Sequence, residues 1–306
     1  MIGTRASNRP DWAREGQAWP NRAASRFVRE GRILWHVQRM GDAGAPALLL
    51  VHGTGAATHS FRDLMPRLAR SFQVLAVDLP GHGFTDARGT EVLTLHGMAR
   101  AVSTLLDHLE VAPVAAAGHS AGAAVAIRMA QTTGFSPSHL FGFNAALEPI
   151  QGNALFQPMA RLLFLNPLTP RVVAWRAGFG DLGRTLLSAT GSRIDAAGLA
   201  GYNLLFSNRA HVRGALGMMA HWDLAPLQRE LPALTVPLTL IAAEDDPMVP
   251  AAVSRKAAAR AGAGDYVGIP HGGHLLHETD IEPIARLIEE RCGAASARAP
   301  LDARSA

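Results

Sequence analysis

Cysteine, lysine, aromatic residues and long apolar runs are all scarce in this chain, and each shortage removes a class of protein. A single cysteine, Cys292, in 306 residues leaves no internal disulfide and no cysteine metal cluster. Lysine occurs once, as Lys256, among 29 basic residues set against 25 acidic ones. The isoelectric point of about 10.1 therefore reflects arginine usage rather than a basic patch. The net charge is only +4, the arginines are scattered, and no basic run alternates with aromatics. No nucleic-acid partner is expected. No stretch of about 18 uninterrupted apolar residues exists, so no transmembrane segment is expected. No long apolar core follows the early arginines, so a signal peptide is not expected and the cytoplasm is the expected location. The 13 histidines show no His-x-x-x-His helix, and no glycine-rich phosphate loop is present. Neither a metal nor a cofactor is expected.

Hydrophobic residues make up 48 % of the chain and charged residues 18 %, the balance of an ordered globular protein able to bury a large core. Residues 1–24 are polar and arginine-rich, with Trp12 and Trp19, and read as an irregular arm that docks on the body. Phe27-Val28 and Ile33 to Val37, around Glu30-Gly31, read as an antiparallel hairpin. Ala47 to Val51 is continuously apolar, as a strand buried on both faces requires. A helical segment over about 60–69 and strands at Val74 to Val77, Pro113 to Ala117 and Leu140 to Phe143 follow. Between them Thr94 caps a helix with an apolar stripe from Leu95 to Leu109.

From 148 to 223 the strand–helix alternation stops, and prolines and glycines break an apolar segment into short helices, an inserted lid. Within it Leu155 to Trp175 is apolar, but its prolines exclude a long interfacial helix. The alternation resumes with a strand at Pro237 to Ala242, a helix over 251–261, a strand at Tyr266 to Ile269 and a helix marked by Ile281, Ile284, Leu287 and Ile288. Residues 293–306 read as a disordered tail. The core is thus 25–147 with 224–292, an α/β fold with a mainly parallel sheet.

Gly118-His119-Ser120-Ala121-Gly122 lies between an apolar strand and an alanine-rich helix. A serine at the apex of such a turn is held in a strained conformation with its hydroxyl exposed, and the flanking glycines let strand and helix nearly touch. The hydroxyl needs a base held in the right tautomer by a carboxylate. Ser120, Asp246 and His274 occur in the order serine, acid, histidine, each just past a strand end. Glu244, Asp245 and, less favoured, Glu148 compete with Asp246 for the acid. His271 and His277 compete with His274 for the base. The backbone N–H groups of Thr54 and Ala121 are the expected oxyanion hole. His119, Asp78 and His82 are expected to pack or to fix loops.

These motifs, HGTG, DLPGHG, GHSAG, DDPMVP and GGH in this order, resemble the α/β-hydrolase superfamily over about residues 25–292. The resemblance implies a mostly parallel eight-stranded sheet flanked by helices. Serine at the elbow separates this chain from the dehalogenase and epoxide-hydrolase branches, which attack through an aspartate. The segments LLLVHGTGAATHSFRDLMP, GHSAGAAVAIRM, RLLFLNPLTPR, TGSRID and MMAHWDL further resemble the BchO-type magnesium-chelatase accessory family of phototrophic bacteria. That likeness implies a role near magnesium insertion in bacteriochlorophyll synthesis, with magnesium-chelatase subunits as partners. His271, where glycine is commoner, and the doubled Asp245-Asp246 depart from the general hydrolase pattern. Two functions follow. One is a serine esterase with an apolar small-molecule ester under the lid. The other is a non-catalytic accessory protein binding a tetrapyrrole, whose propionates Arg161, Arg171 and Arg176 would meet.

Overall fold

A computed structural model describes residues 10–148, 162–166, 168–177 and 181–297. Eight strands form one sheet: β1 Ser25–Glu30, β2 Ile33–Met40, β3 Ala47–Val51, β4 Gln73–Val77, β5 Ala115–His119, β6 His139–Phe143, β7 Leu238–Ala243 and β8 Gly264–Ile269. Their order is β1-β2-β4-β3-β5-β6-β7-β8. The first hairpin and the β2–β4 pair are antiparallel, and every later pair is parallel. Parallel neighbours cannot be joined by a tight turn, so each connection carries a helix or a long crossover. The helices are α1 Leu64–Leu68, α2 Leu95–His108, α3 Ala121–Thr132, α4 Thr169–Ala177, α5 Asp181–Ser188, α6 Ala196–Phe206, α7 Arg209–Ala220, α8 Ala225–Glu230, α9 Ala251–Arg260, α10 Leu276–Thr279 and α11 Ile281–Ala297.

Strand periodicity divides the core in two. Leu49, Val51, Leu75 and Val77 face α2, α3, α8 and α9. Leu48, Leu50, Val74 and Ala76 face α1 and α11. Both faces are covered, which explains why β3 reads as an unbroken apolar run. The helix α2 starts where its cap dictates: the Thr94 hydroxyl accepts from the Gly97 N–H at 2.9 Å.

Several boundaries differ from the sequence reading. The strand expected at 113–117 runs from Ala115 to His119, because it continues straight into the serine turn. The helix expected over 60–69 is a 3-10 turn, Thr58–Phe61, followed by the short α1. The closing helix does not stop at Gly293 but continues to Ala297, through alanines that favour helix. The rest of the expected tail, 298–306, lies outside the described residues. Among the described residues, no helix is long and apolar enough to cross a membrane.

The described part of the segment between β6 and β7 carries helices α4 to α8 and sits against the core. The arm joins them: the Trp19 indole N–H donates to the Thr58 hydroxyl at 3.2 Å, and Trp19 packs with Ala57, Phe84 and Leu205 of α6. Trp12 meets Phe84 edge to face at 4.9 Å. Residues 1–9 of the arm lie outside the described residues. Arg62 pairs with Asp195, the N-cap of α6, at 2.7 Å. Tyr202 of α6 donates its hydroxyl to Glu278 of α10.

Glu278 is fully enclosed at this seam. Burial pushes its carboxyl up to about 8 from the ordinary 4.5. The folded state therefore keeps a proton that the unfolded chain releases near the ordinary value. That contribution to stability is complete below the ordinary value and is lost as pH rises through about 8. The thermal midpoint is expected to fall as pH rises from about 5 to about 9. In Glu278→Gln, which carries no titrating proton, that fall should flatten; calorimetry at stepped pH measures it, and an unchanged slope would locate the effect elsewhere.

Candidate active site

The site is built around one sharp turn. Ser120 links β5 to α3 with φ 51° and ψ −116°, a left-handed conformation costly for a residue with a Cβ. Packing over-determines it. A Cβ on Gly122 would lie 2.2 Å from the Val51 carbonyl oxygen, and one on Gly118 would lie 2.4 Å from the Gly122 and Ala123 backbone. Only glycine fits at either position. The Ser120 N–H donates to the Phe143 carbonyl at 2.9 Å, and the Ser120 carbonyl accepts from the Ala123 and Ala146 N–H groups at 3.2 Å. The turn is thus tied to β6 as well as to its own helix.

The loop after β3 presses on this turn from the side. A Cβ on Gly53 would be 2.8 Å from His119 Nδ1 and 3.1 Å from Ser120 Cβ. His52 fixes the loop: its Nε2 accepts from the Leu79 N–H at 2.9 Å and its Nδ1–H donates to the Gly53 carbonyl at 2.7 Å. Burial drives its pKa down to about 3, so the ring stays neutral in this tautomer. Thr54 follows Gly53, and Ala121 opens α3. The backbone N–H groups of both find no acceptor among the described residues.

Past the end of β7, Asp246 is buried. Its Oδ1 accepts from the Met248 and Val249 N–H groups at 2.8 and 3.0 Å, and its Oδ2 accepts from His274 Nδ1 at 2.8 Å. The other nitrogen of His274, Nε2, is 3.2 Å from Ser120 Oγ. Three residues far apart in sequence form one continuous hydrogen-bonded path. The rivals point elsewhere. Asp245 accepts from the Gly273 N–H at 2.9 Å and faces the exposed His271 at 3.3 Å. Glu244 meets Arg255 and Tyr266. Glu148 pairs with Lys256 at 2.6 Å.

His277 lies on α10, buried, with its ring stacked 4.2 Å from that of His119. Burial takes it down to about 3. His119 donates its Nε2–H to the His274 carbonyl at 2.9 Å, and burial likewise holds it well below the ordinary value. Asp78 organises the DLPGHG loop, accepting from His36 Nδ1 at 2.8 Å and from the Thr58 and Phe84 N–H groups at 2.7 and 2.9 Å. Burial opposes its charge, yet these donors outweigh that cost and keep the carboxyl well below the ordinary range. His82 stays neutral, lowered by burial to about 4.

A family profile described as Alpha/beta hydrolase family matches residues 48–289. The chain belongs to that family. It is 42 % identical over 276 residues to the magnesium-chelatase 30 kDa subunit of Rhodobacter capsulatus, covering 88 % of this chain and 95 % of that protein. It is 29 % identical to a pimeloyl-[acyl-carrier protein] methyl ester esterase of Xanthomonas campestris pv. campestris, over 78 % of this chain and 91 % of that one. Among solved structures, an alpha/beta hydrolase fold protein from Burkholderia ambifaria superposes with a TM-score of 0.75 at 21 % identity, over 87 % of this chain and 97 % of that chain.

One residue of this α/β hydrolase site escaped the sequence reading. Asn144 directly follows β6 with φ 43°, and it is fully buried. Its Nδ2 donates to the Gly273 and His274 carbonyls at 2.7 and 2.8 Å, while its Oδ1 accepts from the Ala243 N–H at 2.8 Å. The amide joins the strand that leads to Asp246 with the loop that carries His274. The signal was a lone asparagine directly after an apolar strand, a residue type that tolerates the left-handed region. Among the described residues, no group of three or more histidine, cysteine, aspartate or glutamate side chains could hold a metal.

Because the Val51 carbonyl cannot retreat without breaking the β3 ladder, Gly122→Ala is expected to destabilise the fold by at least about 2 kcal/mol. Urea unfolding midpoints measure this, and a variant as stable as the wild type would show that α3 can lift away from β3.

Proposed function

We propose that this chain is a serine-dependent hydrolase of carboxylic esters, working in the cytoplasm through an acyl-enzyme on Ser120. The observation that carries the reading is the unbroken path from Asp246 through His274 to the strained Ser120. His274 Nε2 takes the Ser120 proton as Oγ bonds to the ester carbonyl carbon. The N–H groups of Thr54 and Ala121 receive the developing oxyanion, each worth about 3 kcal/mol in the transition state. The imidazolium returns the proton to the departing alcohol oxygen, leaving an acylated serine. Water then attacks that acyl carbon, with His274 removing its proton and handing it back to Ser120 Oγ. Asp246 holds the Nδ1–H throughout, so that Nε2 is the free base.

An apolar acyl or alcohol group suits the surroundings. Met218 of α7 touches the Thr54 hydroxyl at 3.3 Å, and the Phe206 ring of α6 borders Gly55. These side chains come from the inserted helices and face the oxyanion loop, which supports their role as a substrate-selecting lid.

The 42 % likeness to a protein named as a magnesium-chelatase 30 kDa subunit favours a second reading. Here the chain serves bacteriochlorophyll synthesis beside magnesium chelation, binding a tetrapyrrole or a chelatase subunit. Arg171 on α4 is exposed and is available to a propionate. Arg161 and the side chain of Arg176 lie outside the described residues. Absorbance titration with protoporphyrin and its magnesium form tests this. A band shift at micromolar pigment is expected if the reading holds, and an unmoved spectrum removes the tetrapyrrole.

For the hydrolase reading, a fluorophosphonate probe is expected to label the wild type and not Ser120→Ala. Turnover of short p-nitrophenyl esters should drop by at least about 1000-fold in Ser120→Ala and in His274→Ala. Equal labelling and equal turnover in the serine variant would defeat the mechanism.

A further inference from the structure

The loop that carries His274 is braced from two sides, and the bracing can be counted atom by atom. Between Gly272 and Leu275 the backbone bonds both to the core and to the segment between β6 and β7. Three partners belong to the core: Asp245 Oδ1 takes the Gly273 N–H, Asn144 Nδ2 reaches the Gly273 carbonyl, and Asn144 with His119 reach the His274 carbonyl. Two more, Thr190 and Ser192, belong to the segment between β6 and β7. The Thr190 carbonyl accepts from the His274 N–H at 2.8 Å. The Ser192 hydroxyl donates to the Gly272 carbonyl at 2.7 Å and accepts from the Leu275 N–H at 2.8 Å.

The two loops are pressed together where these bonds form. A Cβ on Gly273 would lie 2.5 Å from the Gly191 carbonyl carbon and 2.6 Å from the Ser192 nitrogen, and a Cβ on Gly191 would lie 3.0 Å from Pro247. Gly191 and Gly273 both have positive φ, 72° and 63°. Thr190 is itself fixed, its hydroxyl donating to the Leu187 carbonyl and accepting from the Ser192 N–H. Below the contact, Leu187 and Tyr202 of the insertion pack with Leu275 and Ala56 of the core.

We propose that Ser192 is a positioning residue for His274, so that the seating of the inserted helices on the sheet sets the catalytic base; this rests on the serine-hydrolase reading. One hydroxyl spans the base of the loop, bonding the residue two before His274 and the residue one after it. With that span in place, the imidazole has one backbone course to follow between Asp246 and Ser120. Without it, the half-buried Gly272 carbonyl and the N–H of buried Leu275 lose their partners together, and the loop gains freedom on both sides of the ring. Displacement of the insertion removes the same bonds, so an open lid and an unbraced base go together.

The test uses the full chain and four variants. In ester hydrolysis, Ser192→Ala is expected to lower kcat about tenfold with KM within about twofold, and Ser192→Thr, which keeps the hydroxyl, to recover most of the loss. A readout independent of turnover is the low-field proton resonance of the His274 Nδ1–H shared with Asp246, identified by its disappearance in His274→Gln. It should be sharp in the wild type and in Ser192→Thr, and broadened by exchange in Ser192→Ala. Wild-type kcat with an unaltered resonance in Ser192→Ala overturns the proposal. So do equal losses in the alanine and threonine variants that track a lowered thermal midpoint. If the wild type and Ser120→Ala hydrolyse ester at the same rate, the hydrolase reading fails, and the resonance alone then decides the role of Ser192.

Discussion

Helix α3 approaches strand β3 so closely that a methyl group cannot stand between them, and the site follows from that contact. At Gly122 the helix backbone sits against the Val51 and His52 carbonyls, and at Gly118 the strand sits against the first turn of the helix. With both sides of the turn pinned, the residue between them has no relaxed conformation available, and Ser120 takes a positive φ. The strain lifts the side chain out of the sheet and leaves the Ala121 N–H unbonded at the start of the helix. The same crowding brings the Gly53 loop alongside, and Thr54 with it. The strained serine and the two unbonded N–H groups beside it are therefore consequences of one packing constraint rather than separate features.

The histidines illustrate how burial sorts identical side chains into different work. His52, His82, His119 and His277 are all enclosed, and in each the loss of water is the largest influence and favours the neutral ring. A neutral imidazole is both a donor and an acceptor, which suits it to join backbone groups that secondary structure leaves unpaired. His52 does so between β3 and β4, and His119 does so beneath His274. His274 has the Asp246 carboxylate on one nitrogen and the Ser120 hydroxyl on the other; His36 has a like pair, Asp78 and Ser25, but its serine lies on β1 rather than at a strained turn. What distinguishes His274 is the turn on which its serine sits, not the kinds of partner it has.

The inserted helices are more than a cover. They contribute apolar side chains beside the Gly53-Thr54 loop, a Tyr202–Glu278 contact, and Thr190 and Ser192 as backbone partners of the His274 loop. The arm adds to the same seam through Trp19, which touches the core and α6 at once. A segment that enters the chain between two strands thus becomes part of the frame that holds His274.

Much of this was legible in the sequence. The strand order of events, the glycines of the turn, the Thr94 cap and the apolar face of α2 are local matters, set by sterics and by periodicity over a few residues. The motif GHSAG carries its own geometric requirement, so the turn could be read without coordinates. Strand and helix ends shifted by a few residues, as at β5 and α11, because hydrogen bonds to neighbours decide them. The choice between Asp245 and Asp246 was not local at all. Adjacent carboxylates differ only in the direction in which a loop turns, and that direction depends on where β8 delivers His274. Asn144, Thr190 and Ser192 were still less accessible, since the bonds of Ser192 to the His274 loop span 80 and 83 positions. Sequence determined the elements and the turn chemistry, because these depend on contacts within a few residues. Tertiary structure decided which of several acids, histidines and hydroxyls meet, because only the closed sheet brings distant loops within hydrogen-bond length.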